Sequence, residues 1–264
     1  MMDSEATKKA SDKIWQAWQN GEVIDALPSD CKPTTRESGY AIQARLEGLS
    51  SSPLFGWKIA ATSAAGQAHI GVDGPIAGRL LAERIFSDGS VLNFGANRMA
   101  VVEPEFAFRI GETIAPRAKT YTTDEVLSMV SDLHLAIELP DSRFVDFVSV
   151  GAANLIADNA CAHEFVLGPK VPVNWRDVDL SQHKMKAEVV GKFQHDGIGS
   201  NVLGDPREAL TWLINEVAGL GLTIAAGQVI TTGTCAVPLP VAAGDEIKMD
   251  FGTLGQVSMS FDSV

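Results

Sequence analysis

Apolar residues recur at helical spacing early in the chain and at strand spacing afterwards. In SDKIWQAWQNG, Ile14, Trp15 and Trp18 fall at i, i+1 and i+4. This predicts a helix that opens after Ser11 as N-cap and closes near Gly21. Pro28, Ser29, Asp30 and Pro33 mark a loop, and RESGYAIQARLEGLSSS predicts a second helix closed by a small polar turn. From Phe55 the texture changes. GWKIAAT, RIFSDGSVLNFG, RMAVVEPEFAFRI and LHLAIELP are short apolar runs separated by Gly, Pro, Asn and Asp, and they predict strands. Thr122 and Glu125 form a capping-box pattern that opens a short helix over TTDEVLSMVSDL. LGDPREALTWLINEVAGLG predicts a longer helix with Asp205 as N-cap, Pro206 at the first helical position and Gly219 or Gly221 at its end. QVITTGTC, DEIKMDF and GQVSMSF return to strand pattern. The expected fold class is α+β: a helical N-terminal region over residues 1–54, then a strand-dominated domain over 55–264.

Composition narrows the function classes. A chain of 264 residues suffices for one large domain, or for one domain with a small lobe. The net charge of −12 argues against nucleic acid as a partner, because binding phosphates needs basic patches. Cys31, Cys161 and Cys235 are scattered and make no CxxC pair, so neither a disulfide framework nor a zinc site is expected. The N-terminus lacks the apolar core of a signal peptide, and no apolar run reaches the length of a membrane span. A reduced, cytoplasmic location with no membrane partner is expected. No GxGxxG follows a strand and no Walker loop or GxSxG is present, which leaves nucleotide cofactors and Ser–His–Asp hydrolysis without support.

Candidate chemistry begins in VVEPEFAF. Glu103 and Glu105 lie two apart in an apolar strand and so face the same way. Burying two carboxylates together is costly without compensation. Glu138 lies in a second apolar run, LHLAIELP. Three carboxylates on adjacent strands would make an oxygen-rich site suited to a hard divalent cation, Mg²⁺ or Mn²⁺. The competing reading places Glu103 and Glu105 on the solvated face of an edge strand, where Pro104 is tolerated. Lys58 sits in the apolar strand GWKIAAT. Partial burial would lower its pKa and suit it to acid–base work; alternatively its stem packs on Trp57 and its ammonium reaches water. Asp158 and Asn159 read as a turn, either supporting a site or plain. Arg143 could meet a carboxylate substrate or pair with a nearby acid. Trp57, Phe106 and Phe144 flank these motifs and could line a pocket or fill the core. Ser63 and Ser142 lie in no nucleophile motif, His163 and His195 have no identifiable partner, and His69 and His134 read as packed or surface residues.

Taken in order, GWKIAATS, GVDGPIAGRLL, VVEPEFAF, AIELPDSRF, IADNACAHEFVLG and ITTGTCAVPLPVAAGDEIKMDFGTLGQVSMSF resemble the 2-keto-4-pentenoate hydratase family. That family includes 2-oxo-hept-3-ene-1,7-dioate hydratases and 4-oxalocrotonate decarboxylases and belongs to the fumarylacetoacetate hydrolase superfamily. The resemblance covers nearly the whole chain. It implies a small helical N-terminal region on a mixed β-sandwich roll. It also implies a divalent metal held at the positions of Glu103, Glu105 and Glu138, a catalytic lysine at Lys58, a 2-oxo acid substrate from aromatic catabolism and a homo-oligomer. Ser63, Arg143, Asp158 and Asp73 are candidate substrate contacts.

The chain departs from the family in one respect. Family hydratases carry an Asp after the GVD segment, in the pattern PD[FY]G. Here the stretch reads GPIAG and Ile76 stands at that position. An isoleucine moves no protons, and Asp73 is the nearest replacement in sequence. The expected activity is hydration. Decarboxylation, C–C hydrolysis and a non-catalytic partner subunit are the alternatives that Ile76 keeps open.

Overall fold

The computed structural model of the chain describes residues 3–263. Helix α1 (Ser4–Asn20) starts earlier than the sequence pattern predicts, with Asp3 and not Ser11 at the N-cap position. Thr7, Ala10, Ser11, Ile14, Ala17 and Trp18 form its buried stripe, so Ser11 lies on the inward face and the polar lead-in is part of the helix. The end near Gly21 is as expected, because that glycine adopts the left-handed conformation that closes a helix. The second helix is broken at Arg45 into α2 (Arg36–Ala44) and α3 (Leu46–Leu49).

After β1 (Leu54–Ala60) come α4 (Ala64–Ile70), β2 (Ile76–Leu81), β3 (Ile85–Ser87), β4 (Ser90–Leu92) and β5 (Val101–Ile110). The capping box of Thr122 and Glu125 opens α5 (Thr123–Ser128). That helix is shorter than expected because Val130 already pairs with Ile110 at the start of β6 (Val130–Leu139). Next are α6 (Ala152–Ala157), β7 (Glu164–Lys170), β8 (Lys184–Val189) and β9 (Phe193–Ile198). Helix α7 (Pro206–Gly219) has the predicted cap: the Asp205 side chain accepts from the Arg207 N–H at 2.8 Å. The chain closes with β10 (Val229–Thr234), β11 (Leu239–Pro240), β12 (Glu246–Asp250) and β13 (Gln256–Phe261).

Among the described residues the strands form two mixed sheets. One runs in the order β2-β1-β10-β5-β6-β7-β3, with β11 also pairing with β5; the other runs β4-β13-β12-β8-β9. Their inner faces share a core in which Phe106 of β5 meets Phe251, which follows β12, with ring centroids 5.1 Å apart. This is the mixed β-sandwich roll with a helical N-terminal region that the sequence implies. The N-terminal helices share a second core with later residues: Ala10, Ile14 and Ile42 pack with Phe144 and Ala157. No helix among the described residues is long and apolar enough to cross a membrane.

Strand β5 is an interior strand, between β10 and β6, so the edge-strand reading of Glu103 and Glu105 fails. Pro104 is accommodated where β10 bulges. The β10–β5 register shifts between Thr231 and Thr234, and the Cys235 N–H reaches past it to the Pro104 carbonyl at 2.8 Å.

Candidate functional site

Register brings the acids together. On the antiparallel β5–β6 pair Glu103 lies directly opposite Glu138, and Glu105 follows on the same face of β5. One oxygen from each of the three carboxylates lies within 4.8 Å of the others. Glu105 and Glu138 are fully buried and Glu103 is partly so. Glu105 Oε2 accepts hydrogen bonds from the Thr231 hydroxyl and from the Gly233 N–H. Its Oε1 is buried without a partner, and neither Glu138 oxygen has a well-directed hydrogen-bond donor. Orphaned buried acceptors of this kind are rare in folded proteins. Here they converge on one point.

Lys58 faces this cluster. The sheet curls so far that β1 reaches β6, although β10 and β5 stand between them in the ladder. Lys58 Nζ lies 2.8 Å from Glu138 Oε1 and donates to the Ala160 carbonyl at 3.0 Å. The lysine is fully buried, so its ammonium does not reach water. The lowered pKa expected for it is corrected: burial alone would lower it, but Glu138, Glu103 and Glu105 outweigh burial and hold it above the ordinary lysine value. Burial, reinforced by Glu138, pushes Glu103 up to about 7. Burial also drives Glu105 well above the usual carboxylate range, with Glu138 and Glu103 adding to the effect.

Charge and ligand type decide what fits. Three carboxylates and one ammonium leave two negative charges uncompensated, which a divalent cation would cancel. All three donors are hard oxygens lying within 4.8 Å of one another, and Glu105 and Glu138 contribute buried oxygens with no hydrogen-bond donor. The residues therefore fit a hard divalent cation.

Two glycines admit this packing. Gly233 has φ +102°, and a Cβ there would lie 2.2 Å from the Thr62 hydroxyl oxygen. Gly78 lies opposite Lys58 on β2, where a Cβ would lie 3.0 Å from Lys58 Cδ and 2.4 Å from the Asn159 carbonyl oxygen. Asn159 lies in the turn that the sequence reads as supporting a site or plain, whereas Thr231, Gly233 and the Ala160 carbonyl are site groups that the sequence reading does not name. The glycine within the strand pattern ITTGTC was the available signal, since such glycines mark bulges and close approaches.

The other candidates lie elsewhere. Arg143 and Asp158 form a buried ion pair with each other, through Arg143 Nε and Asp158 Oδ1 at 2.5 Å. The guanidinium also donates to the carbonyls of Asp141, Ala162 and Asp158 and lies 4.5 Å from the Trp18 ring centre. The Asp158 carboxylate further accepts from the Ser142 hydroxyl and the Arg143 N–H. Neither residue keeps a free group for substrate, so the substrate-contact expectation for both is corrected to a framework role. Arg143→Ala should destabilise the protein by about 3–5 kcal/mol, because it leaves a buried carboxylate unpaired. Cation affinity in the folded fraction should be unchanged; denaturant unfolding and calorimetric titration check the two parts.

Ser63 is exposed and caps α4, its hydroxyl accepting from the Gly66 N–H at 3.0 Å. The Asp73 side chain is 90% exposed and 3.9 Å from Arg36, so it does not replace the missing family acid inside the site. Ile76 is fully buried and pairs with Ala60 just as Gly78 pairs with Lys58, which places Ile76 on the lysine's face of the sheet. Trp57, Phe106 and Phe144 are buried core residues. His163 packs against Trp18, accepting its indole N–H at 2.8 Å, and burial helped by Arg143 and Arg84 pushes it down to about 3.

Comparison with known proteins identifies the family and the fold. The family described as "Fumarylacetoacetate (FAA) hydrolase C-terminal" matches residues 58–261. A 2-keto-4-pentenoate hydratase of Burkholderia vietnamiensis is 30% identical over 264 residues, 99% of each chain. A 2-oxo-hept-4-ene-1,7-dioate hydratase of Escherichia coli is 29% identical over 269 residues, covering 99% of this chain and 100% of the relative. Among solved structures, a 4-oxalocrotonate decarboxylase from Pseudomonas putida G7, complexed with magnesium and adipate, superposes with a TM-score of 0.88 at 27% identity over 99% of each chain.

Proposed function

The chain belongs to the fumarylacetoacetate hydrolase family, and we propose that it is a divalent-cation-dependent hydratase. It adds water to a 2-hydroxy-dienoate, or its 2-oxo-enoate tautomer, of the kind produced in aromatic catabolism. The observation that carries the reading is the convergence of three carboxylates, two of them with unpartnered buried oxygens, beside a buried lysine. Its support is the full-length similarity to hydratases acting on such acids.

Glu103, Glu105 and Glu138 hold the cation, and their hard oxygens favour Mg²⁺ or Mn²⁺. When bound, the cation supplies a Lewis acid that grips the 2-oxo acid head and draws charge toward it. Thr231 and the Gly233 N–H fix Glu105 through Oε2 and leave Oε1 free to bind the cation. Lys58 Nζ moves the proton between the substrate's oxygen and its carbon chain. The balance is one water added: its hydroxyl goes to the distal alkene carbon, its hydrogen remains on the chain, and nothing is oxidised or reduced. Ile76 puts an apolar wall beside Lys58, so proton traffic on that face falls to the lysine.

The test is ultraviolet absorbance of 2-hydroxypentadienoate and longer 2-hydroxy-dienoates with cation-stripped and Mg²⁺-loaded protein. Loss of the dienol band with Mg²⁺ only, and a product heavier by one water, is the expected result. A product lighter by CO₂ would replace hydration by decarboxylation, the activity of the full-length neighbour with magnesium and adipate. An unchanged spectrum on every substrate would reject catalysis on this class and leave the partner-subunit alternative.

A further inference from the structure

We infer that Asn159 is a positioning residue that holds Lys58 Nζ against the carboxylate cluster through the left-handed turn Asn159–Ala160–Cys161. The inference rests on the reading of Lys58 as the proton carrier. Its observations lie outside the cation site.

All three residues of the turn have positive φ, at 56°, 52° and 59°, and all three are buried. Asparagine tolerates that conformation; alanine and cysteine adopt it rarely. A run of this kind persists only where its surroundings over-determine it. The surroundings here are specific. The Asn159 side-chain amide accepts from the Arg79 N–H at 2.7 Å and donates to the Arg79 carbonyl at 2.8 Å, imitating a strand along the outer edge of β2. Strand β2 is itself anchored further along the same outer edge, where Gln43 donates to the Ala77 carbonyl at 2.8 Å, and its Arg79 guanidinium lies 4.6 Å from the ring centre of Trp57 on β1. Just before the turn Asp158 is locked by Arg143, and at its far end the Ala162 N–H closes on the Asn159 carbonyl at 3.0 Å.

The product of this bracing is one exposed lone pair in a buried place. The Ala160 carbonyl is turned onto Lys58 Nζ at 3.0 Å, beside the Glu138 contact at 2.8 Å. Gly78 leaves the gap through which the lysine stem and the turn pass each other. The Ala160 carbonyl adds a directed hydrogen bond to the ion pair with Glu138 and fixes where the ammonium points, whereas the ion pair alone would let it swing on a flexible four-carbon stem. In an extended conformation the turn would carry the Ala160 carbonyl away from that position. Asn159 therefore acts on the lysine at second hand, through the backbone that it clamps.

Asn159→Gly separates the clamp from the backbone preference, because glycine keeps positive φ accessible and loses only the side-chain bonds to Arg79. It should lower kcat by on the order of 100-fold, the effect of a small misplacement of a reacting group, with KM for the dienoate and Mg²⁺ affinity little changed. In a Lys58→Met background the same substitution should cause no further loss, since the group that it positions is gone. Competitive acetylation of the cation-free protein, followed by peptide mass spectrometry, should show Lys58 reacting more readily in Asn159→Gly while the surface lysines keep their wild-type rates. Equal losses in both backgrounds, or unchanged Lys58 labelling, would overturn the inference in favour of a purely structural clamp. If the glycine variant does not fold, Asn159→Asp serves instead, because it keeps the acceptor for the Arg79 N–H and loses the donor to its carbonyl. If the wild-type chain turns over no dienoate, the proposed function fails, and the labelling experiment still decides the positioning.

Discussion

Lys58→Met should lower kcat on the dienoate substrate by about 10²- to 10⁴-fold, the range for removing a general acid–base group. The same substitution should leave Mg²⁺ affinity unchanged or tighter. The two parts have opposite causes. Lys58 is fully buried and ion-paired with Glu138, so no water takes over its proton at that position. Its ammonium also competes with a cation for the field of the three carboxylates, and removing it leaves that field to the cation. Lys58→Arg should not restore turnover, because a guanidinium keeps the charge but does not give up its proton at neutral pH. Steady-state kinetics and calorimetric Mg²⁺ titration read both quantities. A methionine variant within about threefold of wild-type kcat would make Lys58 a packed residue that balances charge, and the proton carrier would have to be sought elsewhere.

How much of this was legible in the sequence depends on how local each signal is. Glu103, Glu105 and Glu138 stood out because an acid inside an apolar strand contradicts its surroundings, and a two-residue period is enough to detect that. The meeting of β1 with β6 was not legible. Those strands are separated in the ladder by β10 and β5, and only the curl of the sheet closes the gap. The direction of the Lys58 pKa went wrong for the same reason. Burial can be guessed from a run such as GWKIAAT, whereas the acids that reverse its effect come from other strands. For Arg143 the sequence leaves both a substrate carboxylate and a nearby acid open, and it does not name Asp158 as that acid, because DSRF and IADN are polar stretches that carry no periodic signal. Ser11 was taken for a cap because Thr7 and Ala10, the inward residues before it, are too small to register as an apolar stripe. The capping box of Thr122 fixed where α5 begins, but nothing local fixed its end. Pairing of Val130 with Ile110 converts the tail of that run to strand. Asp158 and Asn159 mark a turn in the sequence, but its left-handed continuation through Ala160 and Cys161 has no signature, since those two residues are ones that tertiary contacts force into place.

The carboxylate cluster makes a prediction about stability that does not depend on turnover. With no cation bound, the protein should lose stability as pH rises from about 4.5 to about 7. Glu103 has its folded-state pKa raised from 4.5 to about 7, so the folded state binds more protons than the unfolded chain across that interval. The favourable contribution is complete below the unfolded value and is gone above the folded one. Its size is at most on the order of 3 kcal/mol from this residue, at 1.36 kcal/mol per unit, and Glu105 shifts in the same direction. A divalent cation should reverse the trend. It competes with protons for the same oxygens, so its stabilising effect should be small near pH 5 and large near pH 8. Saturation at 100 times Kd would add about 2.7 kcal/mol. Thermal unfolding with EDTA and with excess Mg²⁺ at several pH values measures both slopes. Glu105→Gln sharpens the test. Its amide oxygen can keep the hydrogen bonds from Thr231 and Gly233, while its NH₂ donates toward Glu103 and Glu138 where a cation would sit. The variant should therefore be more stable than the cation-free wild type at pH 8, show little response to Mg²⁺ and be catalytically inactive. A variant that is destabilised at pH 8, with its Mg²⁺ response intact, would mean that Glu105 serves the fold and that the cation, if bound, sits elsewhere.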